Sequence, residues 1–291
     1  MEAQTCLGRI NSRGVLCMVC DSWNLVVDGP LPAGFNMAVD EVLLEHVSDS
    51  SHPMETYVRF YQWERPTLSL GFSQKAIKVV DLDYCKSQGI EVVRRITGGK
   101  AVLHDQEITY AVISNDWNSF PSSDIGGTYR RIAMALLVGL REMGLEPTLA
   151  EETSSRAAPH FPSSPSCFAT TNHYEILCQG RKLVGSAQRR TRMAFLQHGS
   201  ILLGIDPDRW GKALRNRLSA EIWSRATSLS ACLGYLPEIN EVVQKLVSGF
   251  RKSFRVDLRK ADLDGPLRRR ALGLSNSKYN ALEWDRDLEM A

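Results

Sequence analysis

Apolar and polar positions divide the chain into helices and strands that do not alternate regularly. Apolar residues at Phe35, Val39, Val42 and Leu43 share one helical face, which predicts a helix over 34–46. Similar spacing predicts further helices over 81–88, 128–143 and 237–252. Runs typical of strands occupy 57–63, 67–71, 90–96, 107–114, 173–179, 182–190 and 195–204.

This order of elements predicts the class of fold. Strands are grouped between helices without a regular strand–helix–strand alternation, which is typical of α+β proteins. We therefore expect a central mixed, largely antiparallel β-sheet flanked by helices. Gly180-Arg181 predicts a short hairpin turn between two of the strands.

Composition narrows the functional classes. The chain has 291 residues, of which 43% are hydrophobic and 23% charged, as in ordinary globular proteins. A net charge of +2 argues against a dedicated nucleic-acid-binding protein. No apolar run is long enough to predict a membrane span, and the N-terminus lacks the pattern of a signal peptide. Seven scattered cysteines suggest reduced thiols and a cytoplasmic location.

A glycine-rich segment is the first candidate for a binding site. In VRRITGGKAVLHD (93–105), adjacent glycines allow backbone N–H groups to approach a ligand closely. The segment is not a P-loop, because Arg94 and Ala101 occupy positions that the P-loop motif reserves for Gly and for Ser or Thr. On spacing alone, a ligand-binding loop and a plain hairpin turn both remain open.

Cysteine and histidine supply the other candidates. Cys17 and Cys20 form a CxxC pair without a second pair, so we expect no metal site. His104 and His198 end or interrupt strand-like runs, and each could be structural or catalytic. Cys167, in SPSCFATTNHYEI (164–176), could be a nucleophile or a small buried apolar residue.

Several segments, in order, resemble one superfamily. RRITGGKAVLHD resembles the ligand-binding loop of the lipoate–protein ligase and biotin ligase superfamily, and GRKLVGSAQRR (180–190) resembles its lysine-bearing hairpin. FNMAVDEVLL, RPTLSLGFSQ, LQHGSILL and KYNALEW match further stretches of the same superfamily. The resemblance covers the chain from about residue 20 to its end.

One activity within the superfamily fits the cysteine. Cys167-Phe168 precedes Tyr174-Glu175-Ile176, and Lys182 follows the cysteine by 15 positions. This pattern is similar to that of octanoyl-acyl-carrier-protein:protein N-octanoyltransferases whose catalytic cysteine precedes the lysine. The resemblance implies a lipoate-ligase-like fold, no cofactor and two protein partners: an octanoyl-acyl-carrier protein as donor, and an apo lipoyl domain as acceptor. The acceptor would belong to a 2-oxoacid dehydrogenase E2 subunit or be the glycine cleavage H protein.

The resemblance also implies a domain division and site roles. We expect a disordered extension at 1–19, the catalytic domain at 20–255, and a tail at 256–291 that packs on or extends this domain. Cys167 would carry the acyl group as a thioester, and Lys182 would lower the thiol pKa and stabilise the oxyanion. The acyl chain would be bound by Arg95, Thr97, Gly98, Gly99, Ala101, His104, Gly185, Ser186, Ala187, Gln188, His198 and Gly199. His104 is also a candidate base for the acceptor amine.

Three alternatives compete with this interpretation. An ATP-dependent lipoate–protein ligase would use the glycine loop for an acyl-adenylate, with Arg94 or Lys100 near phosphate. An amidotransferase would move lipoyl or octanoyl groups between lipoyl domains and would also need a cysteine. A non-catalytic acyl-carrier-binding protein would form no covalent adduct.

Overall fold

A large mixed sheet organises the molecule. The computed structural model describes residues 7–10, 16–19, 22–120, 125–150, 174–215 and 224–280. The strands are β1 (Leu7–Ile10), β2 (Leu16–Val19), β3 (Ser22–Leu31), β4 (Thr56–Trp63), β5 (Thr67–Leu70), β6 (Glu91–Arg94), β7 (Val102–His104), β8 (Glu107–Ser114), β9 (Pro147–Leu149), β10 (Ile176–Cys178), β11 (Arg181–Arg190), β12 (Phe195–Leu202) and β13 (Asp257–Lys260). The helices are α1 (Ala33–Ser48), α2 (Ala76–Val79), α3 (Leu82–Ser87), α4 (Ile125–Arg141), α5 (Pro207–Ala213), α6 (Leu229–Leu233), α7 (Ile239–Phe254) and α8 (Gly265–Leu274), the last continued by a π-helical turn over Ser275–Tyr279.

The central sheet is mixed and largely antiparallel, as predicted. Its order is β13-β3-β4-β8-β12-β11-β10-β9, in which only the β13–β3 and β3–β4 pairs are parallel. A smaller sheet has the order β6-β5-β7. Strands β1 and β2 pair in antiparallel fashion within the segment for which the sequence predicts a disordered extension.

Both faces of the central sheet are covered. Helices α4 and α7 pack together on one face, where Leu136, Leu246 and Phe250 enter a core with Phe60 and Val112. On the other face α1 buries its apolar side against the sheet, and α8 packs on α1. The α+β arrangement of a sheet flanked by helices is therefore confirmed. The proposed division into 1–19, 20–255 and 256–291 stays a prediction.

Local sequence accounts for several element ends. Asp81, Asp206 and Asp264 each accept a backbone hydrogen bond at the start of α3, α5 and α8, which is the usual role of an N-cap aspartate. The hairpin between β10 and β11 turns at Gln179-Gly180, one residue earlier than predicted. Both turn residues have positive φ, at 52° and 71°, as a two-residue type I′ turn requires.

Two predicted strands are shorter than the sequence suggests. The run 90–96 pairs only over β6, because its last residues turn into the glycine loop. The run 173–179 pairs only over β10, since Tyr174 has a φ of 62°, which interrupts extended backbone. None of the helices in the described ranges combines the length and apolar character that a membrane crossing requires.

Candidate active site

A cavity lies between the central sheet, the small sheet and α1, and its space of about 360 Å³ includes the opening to solvent. Seven residues predicted for acyl binding line it: Arg95, His104, Gly185, Ser186, Ala187, His198 and Gly199. Strand pairing explains this convergence, because β11 and β12 place Ala187 opposite His198 and Gly185 opposite Ser200.

Arg95 organises the glycine loop. Its guanidinium donates to the carbonyls of Gly98 and Lys100, each at 2.8 Å, and to the carbonyl of Ser69 at 3.0 Å. Gly99 has a φ of 91°, which favours glycine. An arginine with so many backbone partners holds the loop in a single closed shape, so its first role is structural.

Arg95 also orders two hydroxyl groups beside the histidines. It donates to Oγ1 of Thr97 at 3.1 Å and to Oγ of Ser69 at 3.1 Å. Each hydroxyl in turn lies close to an imidazole: Thr97 is 2.7 Å from Nε2 of His198, and Ser69 is 2.8 Å from Nε2 of His104. Because each hydroxyl already accepts from Arg95, its own proton is available to Nε2.

His198 is held on both ring nitrogens. Its Nδ1 lies 3.0 Å from Oδ2 of Asp40, a buried carboxylate on α1. Since a carboxylate can only accept, Nδ1 carries the ring proton and Nε2 accepts from Thr97. Burial lowers the pKa of His198 despite the opposing influence of Asp40, which is consistent with a neutral ring.

Asp40 belongs to a buried polar network beneath the cavity. Burial alone would raise its pKa, but the hydrogen bond with His198 and the charge of Arg59 bring the pKa below its usual value. Arg59 donates to Asp40 at 2.9 Å and to the side-chain oxygen of Asn36 at 2.8 Å, and Tyr61 donates to Asp40 at 2.9 Å. The network ties α1 to the central sheet at the site.

His104 has a similar arrangement with a different carboxylate. Its Nδ1 lies 3.2 Å from Oε1 of Glu107, although the angle does not make this contact a hydrogen bond. The ring stacks on Trp63 at 4.2 Å, and Trp63 donates to Thr109 at 2.9 Å. Ser69 therefore occupies Nε2 and the Glu107 carboxylate lies beside Nδ1, while the role of His104 as the base for an amine stays a prediction.

Lys182 forms a buried ion pair. Its Nζ is 2.6 Å from Oε1 of Glu175, and both residues are at most 3% exposed. Lys182 lies on β11, three positions before the cavity-lining Gly185, but it is outside the lining drawn from the described residues. Cys167, its predicted partner, lies outside the described residues.

The remaining predicted binding residues lie around the cavity and not on its wall. Thr97, Gly98 and Gly99 form the loop that Arg95 holds, while Ala101 is buried in the core beneath the small sheet. Gln188 donates to Gln197 at 2.9 Å and continues a hydrogen-bonded row that does not line the cavity. Within the described ranges, no three His, Cys, Asp or Glu side chains converge to hold a metal ion.

Sequence reasoning missed several lining residues: Met37, Tyr61, Trp63, Ser69, Val102, Thr109 and Ser200. It also assigned no role to Asn36, Asp40 or Glu175. A signal existed for the first two, because Asn36 and Asp40 are polar residues one helical turn apart among the apolar positions of α1. No comparable pattern marks the strand residues, whose approach depends on long-range pairing.

Comparison with known proteins shows which family the chain resembles. A family model described as the lipoyl protein ligase A/B catalytic domain matches residues 32–251. A protein named octanoyltransferase LipM from Moorella thermoacetica is 37% identical, with 92% of this chain and 98% of that protein covered. A protein of the same name from Kyrpidia tusciae is 38% identical, with 91% and 98% covered.

Solved structures agree on the fold. Lipoate-protein ligase A bound with ATP superposes with a TM-score of 0.75 at 25% identity, covering 92% of this chain and 99% of that one. A putative lipoate protein ligase from T. acidophilum with bound lipoic acid gives 0.74 at 25% identity, covering 91% and 98%. The chain therefore belongs to the lipoyl protein ligase A/B catalytic domain family.

Proposed function

We propose that this protein is an acyltransferase that moves an octanoyl group to a lysine of a lipoyl domain in protein lipoylation. One observation carries the proposal: relatives named octanoyltransferase match nearly the full length of the chain at 37% and 38% identity. The donor would be an octanoyl-acyl-carrier protein. The acceptor would be the lipoyl domain of a 2-oxoacid dehydrogenase E2 subunit or the glycine cleavage H protein. A cytoplasmic location stays a prediction.

The reaction would proceed in two transfers through Cys167. In the first, the thiolate attacks the carbonyl carbon of the donor thioester, and the carrier thiol leaves. In the second, the neutral amine of the acceptor lysine attacks the new thioester; an amide bond forms, the amine gives up a proton and the Cys167 thiolate is released. Splitting the transfer removes the need for donor and acceptor proteins to occupy one site together.

Lys182 is the residue we assign to this thiolate. A thiolate is the reactive form of cysteine, and a neighbouring ammonium favours it. The same ammonium can stabilise the oxyanion that forms in each step. The sequence spacing between Cys167 and Lys182 supports this role, as does the burial of Lys182 beside a carboxylate.

The cavity is the proposed site of the acyl chain. Burial of one methylene contributes roughly 0.8 kcal/mol, so a chain of about six methylenes gains about 5 kcal/mol before other costs. Trp63, Val102 and Ala187 offer apolar surface to such a chain. The loop that contains Gly98 and Gly99, held by Arg95, would close one side.

An ATP-dependent lipoate–protein ligase is the second candidate, because a similar solved structure is a lipoate-protein ligase A bound with ATP. That candidate would need cations for phosphate. Arg94 donates to the carbonyls of Gly71, Phe72 and Gln74, so its guanidinium supports the loop that follows β5. Of the two cations named for this candidate, Lys100 would then be the one to meet phosphate.

Intact-mass analysis separates the two candidates. The purified protein is incubated with octanoyl-acyl-carrier protein in the absence of ATP. We expect an added octanoyl mass on the wild type and none on Cys167→Ala, because the variant lacks the acceptor thiol. An unlabelled wild type whose acyl transfer requires ATP, and a Cys167→Ala variant that keeps most activity, would identify a ligase instead.

A further inference from the structure

The Lys182–Glu175 ion pair lies in the interior of the protein. The Lys182 side chain is 0% exposed and that of Glu175 is 1% exposed, with 2.6 Å between Nζ and Oε1. A charge so far from water is stable only when it is paired. The fold has therefore placed both an ammonium and its compensating carboxylate at one interior point.

The backbone holds both ends of the pair. The carbonyl of Glu175 accepts from the N–H of Ala150 at 2.9 Å. The N–H of Lys182 donates to Arg225 at 2.7 Å, and its carbonyl accepts from Thr227 at 2.9 Å. Since each residue is anchored to a different segment, the separation of the two charged groups is set by the fold.

Glu175 also has a particular place in the chain. It follows the segment that carries Cys167 by only a few residues, and Tyr174 before it has a φ of 62°, uncommon for a residue other than glycine. β10 begins directly after Glu175, whose carboxylate lies on Lys182.

We propose that Glu175 is a positioning residue for acyl transfer, which keeps Lys182 protonated and fixed in place for Cys167. The inference rests on the proposed function, in which Lys182 assists the thiolate. Without a carboxylate, burial favours the neutral form of a lysine. A neutral amine neither attracts a thiolate nor stabilises an oxyanion, so Lys182 depends on Glu175 for its role.

Two groups near the pair, Tyr110 and Arg225, would not imitate this effect. Tyr110 on β8 faces Glu175, and burial, with a smaller contribution from the Glu175 charge, raises the pKa of Tyr110 to about 12. It therefore stays neutral over the working range of pH. Arg225, from the segment bonded to Lys182, carries a guanidinium, which does not lose its charge in proteins.

The test measures alkylation of Cys167 by iodoacetamide as a function of pH, with the modified peptide identified by mass. In Glu175→Gln we expect a rate roughly tenfold lower at about pH 7, because the partner charge is removed. The rate should approach that of the wild type at about pH 10, where the thiol ionises without help. Glu175→Asp should restore much of the rate, since the charge returns.

A matched control separates this effect from the general loss of an ion pair. Glu41→Gln removes another glutamate–lysine pair, in which Nζ of Lys278 lies 2.6 Å from Glu41, and it should leave the alkylation profile unchanged. Lys182→Ala should reproduce the Glu175→Gln profile. If Glu175→Gln does not fold, Glu175→Asp still tests the proposal, because a shorter side chain should shift the profile in the same direction by less.

Two results would overturn the inference. One is a Glu175→Gln profile that superposes on that of the wild type; the other is faster alkylation at low pH, which would mean that Lys182 stays charged alone. The wild-type octanoyl adduct is measured separately. If the adduct forms and the profile does not shift, only the positioning role fails; if the profile shifts and no adduct forms, the octanoyltransferase assignment fails.

Discussion

A single residue, Arg95, donates to the hydroxyl group beside each of the two cavity histidines. It donates to Ser69 and Thr97, and these hydroxyls face Nε2 of His104 and His198. His198 is thus held between Thr97 and Asp40, and His104 lies between Ser69 and the Glu107 carboxylate, 3.2 Å from Nδ1. Substituting Arg95 by lysine would not reproduce this, because one ammonium cannot reach all these acceptors in a planar fork.

At the residue scale, Trp63 is predicted to limit the length of the acyl chain that the cavity accepts. The Trp63 ring lines the cavity and stacks on His104. Trp63→Ala should enlarge the space, so we expect the ratio of decanoyl to octanoyl adduct on Cys167 to rise. At roughly 0.8 kcal/mol per methylene, room for two more methylenes changes the ratio by about tenfold. Intact-mass analysis with an equal mixture of the two donors measures the ratio.

The ratio is its own control, because any general loss of activity affects both donors equally. Circular dichroism confirms that the variant is folded. A folded Trp63→Ala protein with the wild-type ratio would mean that the acyl chain does not contact Trp63.

Residue by residue, the sequence predicted polar and glycine positions better than apolar ones. Arg95, His104 and His198 lie on the cavity wall as expected, whereas Trp63 and Val102 were missed. The reason is physical: a tryptophan or valine in a strand looks the same whether it faces a core or a cavity. Only the gap between the two sheets makes the distinction, and it arises from packing.

At the scale of elements, the end of β5 approaches the glycine loop so closely that Gly71 cannot carry a side chain. A Cβ on Gly71 would lie 2.0 Å from the carbonyl oxygen of Gly99. The contact joins the end of β5 to the glycine loop, and both groups are backbone. One loop must therefore move if Gly71 is enlarged.

Gly71→Ala tests this contact. We expect the free energy of unfolding to fall by about 1–3 kcal/mol, as overpacking usually costs. Octanoyl adduct formation should also slow, because displacement of the glycine loop disturbs the carbonyls that Arg95 holds. Urea denaturation and intact-mass kinetics measure the two effects.

Gly273→Ala is the comparison variant, since nothing lies within 4 Å of a Cβ at that helical position. It should be neutral or stabilising by up to about 1 kcal/mol. If Gly71→Ala matched Gly273→Ala in both stability and kinetics, the close approach would be incorrect.

Element positions were largely predictable, while element ends were less so. The sequence pattern placed α1, α7, β8 and β12, although β8 and β12 are buried at every position and not on one face alone. The β10–β11 turn was misplaced by one residue, because Gln179 adopts a positive φ that its sequence does not announce. The shortening of 173–179 to β10 has a similar cause at Tyr174.

For the whole molecule, the sequence predicted the class of fold but not the order of the strands in the sheet. Neighbours such as β4 and β8, or β8 and β12, are far apart in the chain. Their pairing brings Arg59, Asp40 and His198 together from β4, α1 and β12. The site therefore depends on the assembled fold, and its network links site chemistry to global stability.

That link predicts how stability depends on pH. Burial lowers the pKa of His198 in the folded protein, whereas an unfolded chain binds the proton near the ordinary value of 6.5. As the pH falls below about 6.5, the unfolded state gains a proton that the native state refuses, so the free energy of unfolding decreases. Asp40, whose pKa is lowered from 3.8, adds a further loss only in more acidic solution.

His198→Gln removes this titration. Between about pH 7 and pH 5, its free energy of unfolding should fall less steeply than that of the wild type, by up to about 1.4 kcal/mol per pH unit. Urea denaturation across this range measures both slopes, with the exposed His52→Gln as a variant that should keep the wild-type slope. Equal slopes for the wild type and His198→Gln would mean that His198 accepts a proton in the folded protein as readily as in the unfolded chain, contrary to its burial between Asp40 and Thr97.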